Sequence, residues 1–124
     1  MKKMLVVEDD DLSQKMLKKI FSKDFDIDCC NSSEEFYDKY NNVRYEIIIM
    51  DISLKGSKHG LDLIKEIRFL PLYAKTPIIC LTAHARAKTR MEAIESGSDL
   101  FIAKPVSNQD LKDAVSSLLN MKLR

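Results

Sequence analysis

The chain has 124 residues, enough for one domain, and a composition of 45% hydrophobic and 31% charged residues, which excludes a disordered chain. Twenty basic against nineteen acidic residues leave a formal charge of +1, which argues against a dedicated nucleic-acid binder. No apolar run approaches a membrane span, and Lys2-Lys3 followed only by Met4 to Val7 makes no signal peptide, so the expected location is the cytoplasm.

Met4 to Val7 read as a short buried strand running into the acids Glu8, Asp9, Asp10 and Asp11. Leu12, Met16, Leu17, Ile20 and Phe21 recur at helical spacing and predict a first helix from about Asp11 to Lys23, capped by Asp10 or Asp11. Phe25 to Cys30 reads as the second strand. Cys29, Cys30 and Cys80 are an odd count without CxxC spacing, as expected of reduced, buried thiols. Ser32-Ser33-Glu34-Glu35 has the spacing of a capping box and opens a second helix bearing Phe36, Tyr37 and Tyr40, which Asn41-Asn42 ends. From Tyr45 to Asp51 the unbroken apolar run Ile47-Ile48-Ile49-Met50 predicts a strand buried on both faces, closed by a carboxylate. A third helix is expected from about Gly60 to Phe69, closed off by Pro71. Thr76 to Thr82 is the fourth strand, with Pro77 tolerable near its start. Ala83 to Ser96 is a loop and then a fourth helix, with Met91 and Ile94 facing inward and Gly97 as its stop. Leu100 to Ala103 is the fifth strand, ended by Lys104-Pro105. Ser107 caps a fifth helix striped by Leu111, Val115 and Leu118.

Five β/α units with short connections predict an α/β domain over residues 1–124. It should be doubly wound in three α/β/α layers on a five-stranded parallel sheet of order 2-1-3-4-5, the flavodoxin-like arrangement. Four polar groups then close neighbouring strands at one edge: Glu8-Asp9, Asp51, Thr82 and Lys104. In such sheets ligands bind outside the carboxyl ends of the strands. Three carboxylates a few ångströms apart repel one another, and a divalent cation relieves them. Oxygen-only ligands favour Mg²⁺ over zinc. A cation, a carboxylate, a lysine and a hydroxyl are also the parts that hold a phosphoryl group, and a carboxylate can itself be the nucleophile. Each residue taken singly is ordinary: a strand-end acid is commonly a solvated loop residue, and Phe101 could be plain core.

The motifs Val6-Val7-Glu8-Asp9, Ile49-Met50-Asp51, Leu81-Thr82-Ala83, Gly97 and Lys104-Pro105, in this order and spacing, resemble the receiver domain of bacterial two-component response regulators over nearly the whole chain. The resemblance implies that Asp51 is the phospho-acceptor. Asp9 would bind Mg²⁺ directly, Glu8 through water, and the backbone carbonyl of Ser53 would complete the protein's share of the shell, with Mn²⁺ as a substitute ion. Thr82 and Phe101 would be a switch pair, and Lys104 would bind a phosphate oxygen, its bond to Pro105 being cis. Implied partners are a sensor histidine kinase or histidine phosphotransfer protein, and a downstream effector or an output domain. A phosphorylation-dependent homodimer is compatible with it; direct contact with nucleic acid or membrane is not expected. The domain would act as a signalling switch that catalyses only its own phosphorylation and dephosphorylation, and would reshape the face of helix 4, strand 5 and helix 5. No output domain is legible past Ser107. The sequence departs from the family in its Glu-Asp acidic pair, in Lys55 where proline is frequent, and in a loop to Gly60 one residue longer than usual. His84 and Ser53 stand at positions where the family varies.

Three other readings fit the residues less well. A Mg²⁺-dependent phosphatase or mutase similar to the haloacid dehalogenase class would carry a second Asp two residues after the nucleophile, where this chain has Ser53. A receiver that is never phosphorylated would not need the intact set of residues. A dinucleotide site lacks its G-x-G-x-x-G after strand 1. Ser53 is too short to orient an attacking water, and His84 is bulky, so obstruction by His84 is expected to prolong the phosphorylated state. His84→Ala should therefore speed single-turnover decay of the purified phosphoprotein roughly few-fold, the effect of about 1 kcal/mol of barrier. Slower decay would mean that the imidazole orients the water instead.

Overall fold

A computed structural model describes residues 1–52, 60–83 and 86–124. The chain runs β1 (Lys2–Val7), α1 (Asp11–Phe21), β2 (Phe25–Cys30), α2 (Ser33–Glu35, continued as a π-helical turn over Phe36–Tyr40), β3 (Ile47–Asp51), α3 (Gly60–Arg68), a 3₁₀ turn (Pro71–Tyr73), β4 (Ile78–Thr82), α4 (Ala87–Ser96), β5 (Leu100–Ala103) and α5 (Asn108–Leu119). The sheet is parallel throughout, in the order β2-β1-β3-β4-β5.

The strands are buried because both faces of the sheet are covered, as their near-continuous apolar sequences require. Side chains alternate between the faces with period two. Leu5, Val7, Ile48, Met50, Ile78, Cys80 and Phe101 pack under Phe36, Ala93 and the α3 residues Leu63, Ile64 and Ile67. Met4, Val6, Ile47, Ile49, Ile79 and Leu81 pack under Leu17 and Phe21 of α1 and Leu111 and Val115 of α5. The three cysteines are free thiols; Cys30 and Cys80 are buried and Cys29 is half-buried. No helix among the described residues is long and apolar enough to cross a membrane.

Local chemistry sets most boundaries. The Asp10 carboxylate caps α1 by accepting from the Ser13 N–H at 2.8 Å. Ser107 caps α5 by accepting from the Asp110 N–H at 3.0 Å. Ser32 caps α2 through the Glu35 N–H at 3.1 Å, and the Glu35 carboxylate reaches back to the Asn31 N–H at 2.9 Å, one residue earlier than in a standard capping box. Helix α1 stops at Phe21, two residues short of the expected Lys23: the Ser22 N–H makes the last i→i−4 bond, to the Lys18 carbonyl, and the Asp24 N–H then closes a tighter turn on the Phe21 carbonyl at 3.1 Å.

Two expectations fail here. The second helix is not a regular α-helix: beyond Glu35 it widens into the π-turn Phe36–Tyr40. Its aromatic residues take separate partners. Phe36 enters the core against Tyr73, and the Tyr37 and Tyr40 hydroxyls donate to the Glu66 carboxylate and the Cys29 carbonyl. On α4, Met91 and Ile94 do not face inward. They are 62% and 55% exposed, and the buried positions are Ala93 and Ser96. Two stripes spaced by three residues compete on this helix. Gly97, at φ 116°, ends the helix by returning its N–H to the Ala93 and Ile94 carbonyls, and Arg68 of α3 holds the Gly97 carbonyl; in that setting the small stripe lies on the core.

The Gly97 carbonyl is held in turn by Arg68, whose side chain uses all its donors. Nε and Nη2 bond the Gly97 carbonyl at 2.9 and 2.8 Å, and Nη1 bonds the Tyr73 and Thr76 carbonyls at 2.8 and 2.7 Å. Nη2 also reaches Asp99 Oδ2 at 2.9 Å, and the same oxygen accepts the Ile78 N–H at 2.8 Å. One guanidinium thus ties α3, the 3₁₀ turn, the end of α4 and the starts of β4 and β5 at the pole opposite the strand tips. Arg68→Met leaves these carbonyls unserved and should cost about 3 kcal/mol. Urea denaturation measures it; a loss under about 1 kcal/mol would mean that water replaces the guanidinium.

Candidate functional site

The register brings the expected residues together. Val7 lies opposite Met50 and Asp51 opposite Leu81, so Glu8 and Asp9 leave β1 beside the tip of β3. Thr82 pairs with Ala103, and the Lys104 N–H bonds the Thr82 carbonyl at 2.8 Å, so Lys104 leaves β5 on the same edge. The Lys104-Pro105 bond is cis, as the resemblance implied. Glu8 is anchored through its main chain: its N–H donates to the Cys30 carbonyl at 2.8 Å, and its carbonyl accepts from Gln14 Nε2.

Carboxylate oxygens of Glu8, Asp9 and Asp51 all lie within 4.8 Å of one another. Glu8 and Asp51 are 3% and 8% exposed. Lys104 Nζ stands 3.4 Å from Glu8 Oε1 and 4.0 Å from Asp51 Oδ2, so in this arrangement its closer carboxyl contact is with Glu8. Burial, and then the hydrogen bond and charge of Asp51, push the Glu8 carboxyl up to about 7, against the opposing pull of Lys104 and the Asp10 N–H. A group of oxygen donors this crowded and this poorly hydrated suits a hard divalent cation, which would displace the proton on Glu8.

The start of α3 supports this corner from below. A Cβ at Gly60 would lie 2.5 Å from Ile52 Cα and 2.7 Å from the Asp51 carbonyl oxygen, so only glycine lets the helix seat against the tip of β3. Thr82 is fully buried at the end of β4. Phe101, on β5 opposite Cys80, is 7% exposed, with its ring turned into the core. The Arg90 guanidinium lies over that ring, 5.2 Å from its centroid. Sequence reading missed Arg90, Gln14 and the steric demand at Gly60; only Gly60 left a signal, as a glycine at a helix start. The expected roles of Ser53 and His84, and the departures at Lys55 and in the loop before Gly60, lie outside the described residues.

A model of the response regulator receiver domain matches residues 4–116. The transcriptional regulatory protein SrrA of Staphylococcus aureus is 31% identical over 117 residues, which are 94% of this chain and 47% of that protein. The chain therefore spans about half the length of that curated relative. A putative response regulator from Chloroflexus aurantiacus superposes with a TM-score of 0.86 at 30% identity, covering 96% of this chain and 98% of the other. The receiver domain of the sensor histidine kinase PA1611 from Pseudomonas aeruginosa, solved with a magnesium ion coordinated in its active site cleft, superposes with a TM-score of 0.86 at 23% identity, covering 96% and 98%. At that identity it shows the shared fold.

The position of Glu8 sets a pH dependence. Between its ordinary value of 4.5 and about 7, the folded chain keeps a proton on Glu8 that the unfolded chain has released. The stabilising contribution is whole below the lower value and is lost as pH rises through the upper one. Stability in EDTA should fall across this window by on the order of 2 kcal/mol, and Glu8→Gln should flatten that fall. Urea denaturation of both proteins at several pH values is the measurement. Parallel curves would mean that Glu8 is ionised throughout.

Proposed function

The chain belongs to the response regulator receiver domain family, and from that premise we propose that Asp51 is its phospho-acceptor. The family is one of two-component signalling switches rather than of enzymes acting on metabolites. The observation that carries the proposal is the meeting of Glu8, Asp9 and Asp51 on one strand edge, with Lys104 between Glu8 and Asp51.

The donor is a phosphohistidine on a sensor kinase or phosphotransfer protein. An Asp51 carboxylate oxygen attacks the phosphorus as the P–N bond breaks, and the imidazole nitrogen leaves with the electron pair and takes up a proton. Asp9 and Asp51 would hold Mg²⁺ or Mn²⁺ directly and Glu8 would hold it through water; the Ser53 carbonyl is the further ligand the resemblance implies. The ion supplies charge neutralisation of the phosphoryl oxygens. Lys104 turns from Glu8 to a phosphoryl oxygen, and the Thr82 hydroxyl donates to another. Hydrolysis of the acyl phosphate by water resets the switch.

A groove of about 430 Å³ between α1 and α5 opens beside Glu8 and Lys104 and is walled by Met16, Ile20, Leu81 and Val106. Its position and the exposure of Leu12 and Met16 suit a helical partner that presents its histidine to Asp51. Output leaves through α4, β5 and α5, where Met91 and Ile94 give an effector, an output domain or a second copy an apolar contact. Thr82 and Phe101 connect the two faces as the switch pair.

Asp51→Asn should abolish labelling by acetyl phosphate and Mg²⁺ while the far-UV circular dichroism and cooperative unfolding persist. Undiminished, hydroxylamine-labile labelling of the mutant would remove Asp51 from the role.

A further inference from the structure

Among the described residues, Arg90 makes no ion pair; its guanidinium lies over the face of Phe101, 5.2 Å from the ring centroid. Lys88, two residues earlier and on a different side of α4, has its ammonium 4.0 Å from Glu92 and a side chain 89% exposed. Arg90 is therefore distinguished from its basic neighbour by its partner. The contact joins two elements: the cation belongs to α4 and the ring to β5. Phe101 is 7% exposed, packed among the residues that include Ala93 and Cys80, and the guanidinium lies across its remaining open side. For the ring to swing outward, either Arg90 must leave it or α4 must shift.

We propose that Arg90 is a positioning residue that latches the Phe101 ring in its inward position and so enriches the phosphorylation-competent packing before any phosphoryl group arrives. The proposal rests on the reading of Thr82 and Phe101 as the switch pair. A guanidinium over an aromatic face at a partly exposed site shifts such an equilibrium roughly two- to five-fold. Where only the inward population is competent, the labelling rate follows that population.

The test compares wild type with Arg90→Ala, Arg90→Lys and Lys88→Ala by two measurements. The first is the ring-current shift of the Arg90 side-chain resonances, with Phe101→Leu as the reference lacking the ring. The second is the initial rate of labelling by acetyl phosphate in Mg²⁺. The latch predicts shifted Arg90 resonances in wild type that relax in Phe101→Leu. It predicts labelling slower by roughly two- to five-fold in Arg90→Ala, largely restored in Arg90→Lys, and unchanged in Lys88→Ala. Equal slowing in Arg90→Ala and Lys88→Ala would overturn it, since loss of positive charge on α4 would then suffice. Unshifted Arg90 resonances, or a wild-type rate in Arg90→Ala, would overturn it as well. Failure of the acceptor assignment is separable, because labelling of Asp51→Asn reports that alone and the ring-current arm involves no phosphorylation.

Discussion

Three carboxylates, two of them buried and Asp9 half-buried, stand within 4.8 Å of one another at the strand tips, and the rest of the domain answers to that crowding. Nothing about an isolated Glu-Asp pair or an isolated strand-end Asp produces it. The parallel order β2-β1-β3-β4-β5 sets β1 beside β3, and the in-step register then brings Glu8 and Asp51 together. Burial of like charges is costly, and the protein contains that cost in three ways. Glu8 keeps a proton near neutrality, Lys104 brings a cation within 4.0 Å of both Glu8 and Asp51, and Asp10 turns its carboxylate to the N-terminus of α1. The site is strained in charge, and a divalent cation would lower that strain.

Much of this was legible in the sequence because strands, caps and stops have local causes. The β-branched run Ile47 to Met50 reads as a strand covered on both faces and is one, and β2, β5, the Ser107 cap and the Gly97 stop fall where local residue chemistry puts them. Four strand ends bearing Glu8-Asp9, Asp51, Thr82 and Lys104 needed only the strand order to become one site. Alternation of strand and helix implies a parallel sheet, and the order 2-1-3-4-5, one of the common doubly wound arrangements, sets β1 beside β3.

What was not legible depends on contacts between distant elements. Met91 and Ile94 have helical spacing, yet so do Ala93 and Ser96, and periodicity cannot say which stripe turns inward. The π-turn of Phe36–Tyr40 has no composition of its own; it accompanies partners supplied by Tyr73, Glu66 and Cys29. Arg68 looks in sequence like any basic residue in a helix's last turn, and its five donors find partners only once β4 and β5 lie side by side. Arg90 is hidden for the same reason, since its ring partner lies on the next strand.

The Arg68 staple also gives α4 a mechanical asymmetry. The helix is fastened at its C-terminus through Gly97 and Asp99, while Arg86 at its N-terminus makes no side-chain capping bond. Ten residues at the rise of an α-helix form an arm about 15 Å long. A body hinged at one end moves most at the other, so a tilt of only ~10° carries the first turn of α4 through ~2.5 Å. The fulcrum is the guanidinium, and the travelling end is the one next to Thr82. Any shift of α4 would therefore be expressed at the strand tips, while the opposite pole of the molecule stays where Arg68 holds it.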